Sequence, residues 1–294
     1  DMVAGTSTGG ILACAYLMPK AAGSTERKFS AQEVVDLYFD RGDEIFDIPI
    51  FHKIRSVGGL IDEKYPEDGI EEALHDYFED TWLKDLMKPC IITSYDIRRR
   101  KGHFFGQHKA SDPSCNFKVK DVARATSAAP TYFECAKVTS ENGDDYPLID
   151  GGVFVNNPAL VAYAEGRNIF DMGGGKMAKA NDMKILSIST GHTRKKYHYS
   201  KAKNWGMAEW VQPVIDIMMS GGAEVAHYQL EKIYDAIEKP IQYLRIDGDL
   251  KTTSIDADMD CATPENMEKL KQFGKDLFKE HKGEIEEWMG FENP

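Results

Sequence analysis

The chain has 294 residues, enough for one large domain or two small ones around a sizeable core. Its 42% hydrophobic and 29% charged residues are those of a globular protein, and no apolar run approaches the ~18 residues that span a membrane. A formal net charge of −12 argues against nucleic acid as the main partner, and it predicts weak spontaneous attraction to an anionic bilayer.

The first element carries the strongest signal. Gly5-Thr6-Ser7-Thr8-Gly9 satisfies G-x-S-x-G between an apolar approach, Met2-Val3-Ala4, and an apolar run, Gly10 to Met18, that predicts a helix stopped by Pro19. In a nucleophile elbow the strand reverses sharply into a helix, and glycine two residues either side of the serine avoids a clash. The hydroxyl is then held up near the positive end of the helix. A plain strand-to-helix turn is the bland alternative. Gly5 and Gly10 also have the spacing of a phosphate loop, but Ile11 stands where its lysine belongs, so that reading is rejected.

Farther along, Ser30 and Glu33 form a capping box ahead of Val34, Val35, Leu37 and Tyr38, predicting a helix from about residue 31. A loop is expected over 47–59 and a second helix after Pro66, with Ile70, Ala73, Leu74 and Tyr77 at helical spacing. Residues 90–97 and 103–107 read as a hairpin across Arg98-Arg99-Arg100-Lys101, whose charges suit a solvated turn better than a lipid-headgroup site. Residues 119–129 read as a helix ended by Pro130, and 132–138 as a strand.

Leu148-Ile149 leads into Asp150-Gly151-Gly152, where a carboxylate ends an apolar run and two glycines allow close backbone approach. A turn is the bland reading there. Pro158 is expected at the first position of a helix, 184–190 as a buried strand, 207–237 as mostly helix and 241–247 as a strand. A final amphipathic helix opens at Thr263-Pro264 and is expected to dock on the core. Gly173-Gly174-Gly175-Lys176 reads as a flexible loop rather than a phosphate cradle, because no strand precedes it. Strands alternating with helices imply a three-layer α/β/α architecture with a mainly parallel sheet.

A serine hydroxyl needs a base. In the Ser, Asp, His order of α/β-hydrolases, with Asp150 as the acid, His192, His198, His227 and His281 come late enough, and His192 after a strand end is the best placed. Cys14, Cys90, Cys115, Cys135 and Cys261 are odd in number and lack C-x-x-C, which indicates structural thiols in a reducing, cytoplasmic compartment. The first residue is Asp1 rather than Met, which leaves an upstream targeting segment open.

Taken together, these blocks resemble the patatin-like phospholipases, lipid acyl hydrolases that use a Ser–Asp dyad. The elbow matches at Gly5-Thr6-Ser7-Thr8-Gly9-Gly10 and the dyad motif at Asp150-Gly151-Gly152, continuing through Val153 to Leu160. Ala125-Thr126-Ser127-Ala128-Ala129-Pro130 and Leu186 to Gly191 are similar too. The resemblance is clearest over 1–195, weaker over a helical 196–294 with one further strand, and implies a single domain over 1–294.

It implies Ser7 as nucleophile and Asp150 as general base, with Gly5, Gly9 and Gly10 shaping the elbow and Gly151 and Gly152 supporting the dyad. The Thr8 N–H would supply one oxyanion donor. An ordinary aspartate, at pKa ~3.9, is a weak base for an alcohol, so burial must raise it. The family also carries an earlier glycine-rich block that contributes oxyanion donors. None precedes Asp1, so the sheet is expected to lack its N-terminal strand and loop, with a longer natural protein preferred to an inactive chain.

The implied activity is phospholipase A type cleavage of acyl esters, without metal or other cofactor, with an acyl-lipid substrate and transient membrane-surface contact. The alternatives are a Ser-His-Asp esterase using His192 or His227, or a non-catalytic storage or binding protein of the same fold. A nucleotide-gated effector shows no motif.

Overall fold

The computed structural model describes residues 1–36, 39, 67–193, 196–252, 254–256 and 261–290. They fall into two compact units, Asp1–Pro158 and Ala159–Pro294. The expected loop at 47–59 and the apolar positions Leu37 and Tyr38 lie outside the described residues.

The first unit begins with β1 (Val3–Thr6) and α1 (Thr8–Leu17). Gly10, Ile11, Ala13, Cys14, Ala15 and Leu17 are all buried, so α1 is apolar nearly all round, as a helix enclosed by its own unit must be. It stops where Met18 turns extended before Pro19. The capping box at 30–33 is formed: Ser30 N–H donates to Glu33 and Glu33 N–H to Ser30 Oγ, opening the helical residues 31–36. Next come α2 (Glu67–Phe78), β2 (Cys90–Asp96) and β3 (Lys101–Gly106). After these follow α3 (Val119–Thr126), β4 (Ala136–Thr139), β5 (Asp145–Asp150) and the single turn α4 (Gly152–Val155).

β2, rich in β-branched residues, is the buried centre of the sheet. β3 runs antiparallel to it over Ile91–Asp96 and fills one flank. The other flank is shared. β1 pairs in parallel with Cys90–Thr93 and stops at Thr6, opposite Thr93. β5 pairs antiparallel with Ser94–Asp96 and stops at Asp150, opposite Ser94. β1 and β5 therefore lie end to end with their C-terminal ends facing. β4 extends the sheet beyond β5. A mainly parallel sheet is expected from alternating strands and helices. Parallel pairing occurs at β1–β2 and, in the second unit, β6–β7; the other three described pairings are antiparallel, because β2–β3 and β4–β5 are hairpins and β5 returns along β2.

Two boundaries differ from expectation for a local reason. α3 ends at Thr126 rather than Ala129, because Ser127 leaves helical geometry and its Oγ donates back to Ala123 O. Ala128 O is then turned to accept the Asp150 N–H at 2.9 Å. Residues 131–133 form a turn on Ala129 O, with Thr131 at φ 75°, so β4 starts only at Ala136. The basic run at 98–101 is a hairpin turn held by Asp96, whose carboxylate accepts the Arg98 and Arg99 N–H groups and pairs with the Arg99 guanidinium.

The second unit contains α5 (Ala159–Ile169), β6 (Ile185–Ile188), α6 (Met207–Ala236), β7 (Tyr243–Ile246) and α7 (Pro264–Met289). α6 provides the crossover between the parallel strands β6 and β7. Leu230 and Tyr234 of α6 pack with Ala159, Ala180 and Tyr243 as this unit's core. Thr263 caps α7, with Pro264 at its first position and Gly290 closing it at φ 79°. α5 begins at Ala159, just past Pro158. At 173–176 the backbone donors face an anion of their own: Asp171 accepts from the N–H groups of Gly173 and Gly175. That arrangement is a turn, not a phosphate cradle.

Candidate active site

Ser7 sits at φ 55°, ψ −131°, outside the regions open to ordinary L-residues. Such a backbone persists only where its surroundings hold it. A Cβ on Gly5 would run into Gly9 O and lie 2.6 Å from the Gly10 Cα, so helix α1 crosses directly over the end of β1. The expected clash at the second glycine of the motif falls one residue later. Gly9 faces open space, whereas a Cβ on Gly10 would lie 2.7 Å from Thr126 Cγ2 and 3.0 Å from Ile92 Cγ2.

The sheet register explains why two residues so distant in sequence meet. Ser7 follows the end of β1, Asp150 ends β5, and the two ends face each other on one flank of β2. Ser7 Oγ donates to Asp150 Oδ2 at 2.5 Å. The other carboxylate oxygen, Oδ1, accepts the Gly152 N–H at 2.6 Å, which fixes the carboxyl plane. Asp150 is buried, and burial pushes its pKa up from 3.8 to about 6, against the lowering effect of the Ser7 and Gly152 hydrogen bonds. Gly151 is forced by the fit: a Cβ there would collide with Thr93 Oγ1 and lie 2.5 Å from Thr93 O.

Behind the pair stand three threonines whose hydrogen bonds the motifs do not announce. Thr126 Oγ1 accepts the Ser7 N–H at 2.9 Å and donates to Thr93 O at 2.6 Å. Thr6 Oγ1 donates to Val155 O at 2.7 Å, so in its 2.7 Å contact with Thr93 Oγ1 it accepts. The two relays tie the elbow to β2 and to the turn after Asp150. Thr6 lies within the elbow motif and Thr126 within the Ala125–Pro130 block, which were signals; Thr93 is a strand threonine like any other. Thr8 is the first residue of α1, so its N–H stands at that helix's positive end.

Three of the four late histidines have side-chain partners in the second unit, and His198 is an exposed residue at the start of a short helix there. His192 Nδ1 lies 3.2 Å from Asp247 Oδ1, His227 Nδ1 lies 2.9 Å from Tyr243 Oη, and His281 pairs with Glu284. All five cysteines are free thiols; Cys14 and Cys90 are buried, and burial raises both thiol pKa values, that of Cys90 to about 12. Among the described residues no group of three or more His, Cys, Asp or Glu is placed to hold a metal, and no helix is long and apolar enough to cross a membrane.

A strained serine at a strand–helix turn thus donates to a buried aspartate at the facing end of a second strand on the same flank of β2. Residues 1–163 match the patatin-like phospholipase family. Patatin-like protein 1 of Arabidopsis thaliana is 30% identical, over 94% of this chain and 71% of its own length. Patatin-like protein 2 of the same plant is 30% identical over 95% and 73%. A Solanum tuberosum protein named "Probable inactive patatin-3-Kuras 1" is 27% identical over 95% and 75%. The chain belongs to the patatin-like phospholipase family, and its mixed α/β architecture is consistent with that family's three-layer α/β/α fold. Membership supports lipid acyl hydrolysis as the class of activity.

Proposed function

We propose that the chain is a phospholipase A type acyl hydrolase in which Ser7 is the nucleophile and Asp150 the only general base. The observation that carries this reading is the direct 2.5 Å hydrogen bond from Ser7 Oγ to a buried carboxylate whose pKa is raised to about 6. A carboxylate near 6 is ionised at neutral pH, yet it is more basic than an exposed aspartate and better able to accept the serine proton. Ser7 Oγ attacks the acyl carbonyl as its proton passes to Asp150 Oδ2. Negative charge develops on the carbonyl oxygen beside the Thr8 N–H at the positive end of α1. Collapse expels the alcohol, which takes the proton back from Asp150 and leaves the acyl group on Ser7. Water then attacks the acyl-enzyme, giving its proton to Asp150, and Ser7 is restored when the fatty acid leaves.

The substrates of this reading are phospholipids and other acyl lipids, approached in transient contact with a membrane surface. Nucleic acid is no partner of a chain with net charge −12. A fluorophosphonate probe tests the nucleophile. It should label the chain stoichiometrically on the Ser7 peptide, and Ser7→Ala should remove the label. No labelling of the folded chain would favour the reading of a non-catalytic storage or binding protein of the same fold.

A further inference from the structure

The second unit exposes a face that an ordinary surface helix would charge. On α6, Met207, Trp210, Val214, Ile217, Met218 and Val225 are between 39% and 88% exposed. They recur at helical spacing on one side, whereas Pro213, Ala226, Leu230 and Tyr234 on another side are buried. Val211 and Tyr228 are exposed on the same stripe. No charged residue interrupts it over 22 residues, about 33 Å of helix. The acidic side chains of this stretch, Glu209, Asp216 and Glu224, occupy the remaining positions. A contiguous apolar stripe of this size on a helix exterior marks an interaction surface.

The segment leading into the helix says what the surface meets. Between Asp182 and Glu209 there is no acidic residue, while Lys196, Lys201 and Lys203 are all cationic. Lys196, Lys201 and Lys203 are exposed. The chain as a whole carries −12, so this is a local reversal of sign that the overall charge conceals. At the junction, Tyr197, Trp205 and Trp210 stack edge to face, with ring centroids 5.3 Å and 5.0 Å apart, and Tyr199 is exposed. Tyrosine and tryptophan prefer the boundary between hydrocarbon and headgroup, lysine the anionic headgroups above it, and a charge-free helix face the acyl layer below.

We propose that the exterior face of α6, with the cationic segment before it, docks on an anionic phospholipid surface. The choice of occupant rests on the lipid acyl hydrolase reading; the binding itself does not require catalysis. The surface lies in the helix interface plane rather than across the bilayer, and the contact is reversible and salt-dependent.

The test uses the full chain carrying Ser7→Ala, so that the lipid is not consumed. Its partitioning onto sucrose-loaded vesicles of phosphatidylcholine mixed with phosphatidylglycerol is compared with pure phosphatidylcholine. Stronger binding to the mixed vesicles, with a blue shift of tryptophan emission, is expected. Ile217→Glu with Met218→Glu should weaken partitioning at least about ten-fold, since each charge must enter the acyl boundary. Lys201→Glu with Lys203→Glu should weaken it by about five-fold or more per lysine, only on the anionic vesicles. Because the altered side chains are exposed, unchanged thermal unfolding certifies the variants. With Ser7 restored, hydrolysis of a soluble short-chain ester should match the parent in both. Equal partitioning of parent and variants would overturn the proposal, as would a dimer in light scattering that the Ile217/Met218 change dissolves. Vesicle binding by a parent chain that hydrolyses no soluble ester would support this surface while removing the catalytic reading.

Discussion

Gly151 lies so close to Thr93 that a single added methyl group would collide with the threonine hydroxyl. One contact thus couples the residue after Asp150 to the strand on which Ser7 and Asp150 converge. Gly151→Ala should lower stability by about 1–3 kcal/mol through overpacking and reduce turnover far more than that loss explains. Gly9→Ala, into open space, should leave both nearly unchanged although Gly9 belongs to the elbow motif. Thermal unfolding with initial rates checks the pair; equal damage from both would refute this packing.

The buried carboxylate makes stability and activity move oppositely with pH. Its folded pKa of about 6 stands above the ordinary 3.8, so between these values folding takes up a proton. The stability contributed by the neutral form is fully present below about pH 4 and is lost as pH rises through 6. A rise of this size corresponds to about 3 kcal/mol. Asp150→Asn should therefore stabilise the chain at pH 7 to 8 by up to that amount, with the gain vanishing below pH 4. Denaturant unfolding across this pH range reads it directly.

With Asp150 as the proposed base, the same group should set the acid limb of the rate profile. The base must be ionised to accept the Ser7 proton, so kcat/KM for a soluble ester should fall about ten-fold per pH unit below 6 and level off above it. A limb centred near 4 would place the base in an exposed setting that this site does not provide.

Thr126 is a positioning residue: it holds the Ser7 N–H and touches no reacting atom. Thr126→Val removes the acceptor and leaves that N–H and the Thr93 carbonyl without their partner. We expect kcat to drop by about ten- to hundred-fold with little change in KM, since a small misplacement of a nucleophile is costly. Thr126→Ser, which keeps the hydroxyl, should restore most of the rate. A drop confined to KM would contradict the assignment.

What the sequence disclosed and what it concealed follow from the range of each constraint. Gly5, Gly10 and Gly151 were readable because close backbone approach excludes side chains whatever the wider fold. Helix starts at Ser30 and Thr263 were readable because capping is local. The end-to-end placement of β1 and β5 was not, since it depends on the register of two strands against β2, and no short motif encodes register. The threonine relays were hidden for the same reason: a strand threonine acquires its partner only when the sheet forms. α3 ended early because the Ser127 hydroxyl bonds back to Ala123 O and Ala128 O is left to accept from Asp150, contacts that helical periodicity does not contain.

The central claim is that Asp150 takes the serine proton itself. The most direct measurement is the initial rate on a short-chain p-nitrophenyl ester for Asp150→Asn, His192→Ala and His227→Ala, each confirmed folded by thermal unfolding. The asparagine variant should lose at least about 10³-fold in kcat/KM, because an amide fills the same space without accepting a proton, and both histidine variants should keep most of the parent rate. A folded His192→Ala or His227→Ala chain that is as inactive as Asp150→Asn would contradict the account and put a histidine between the serine and its acid.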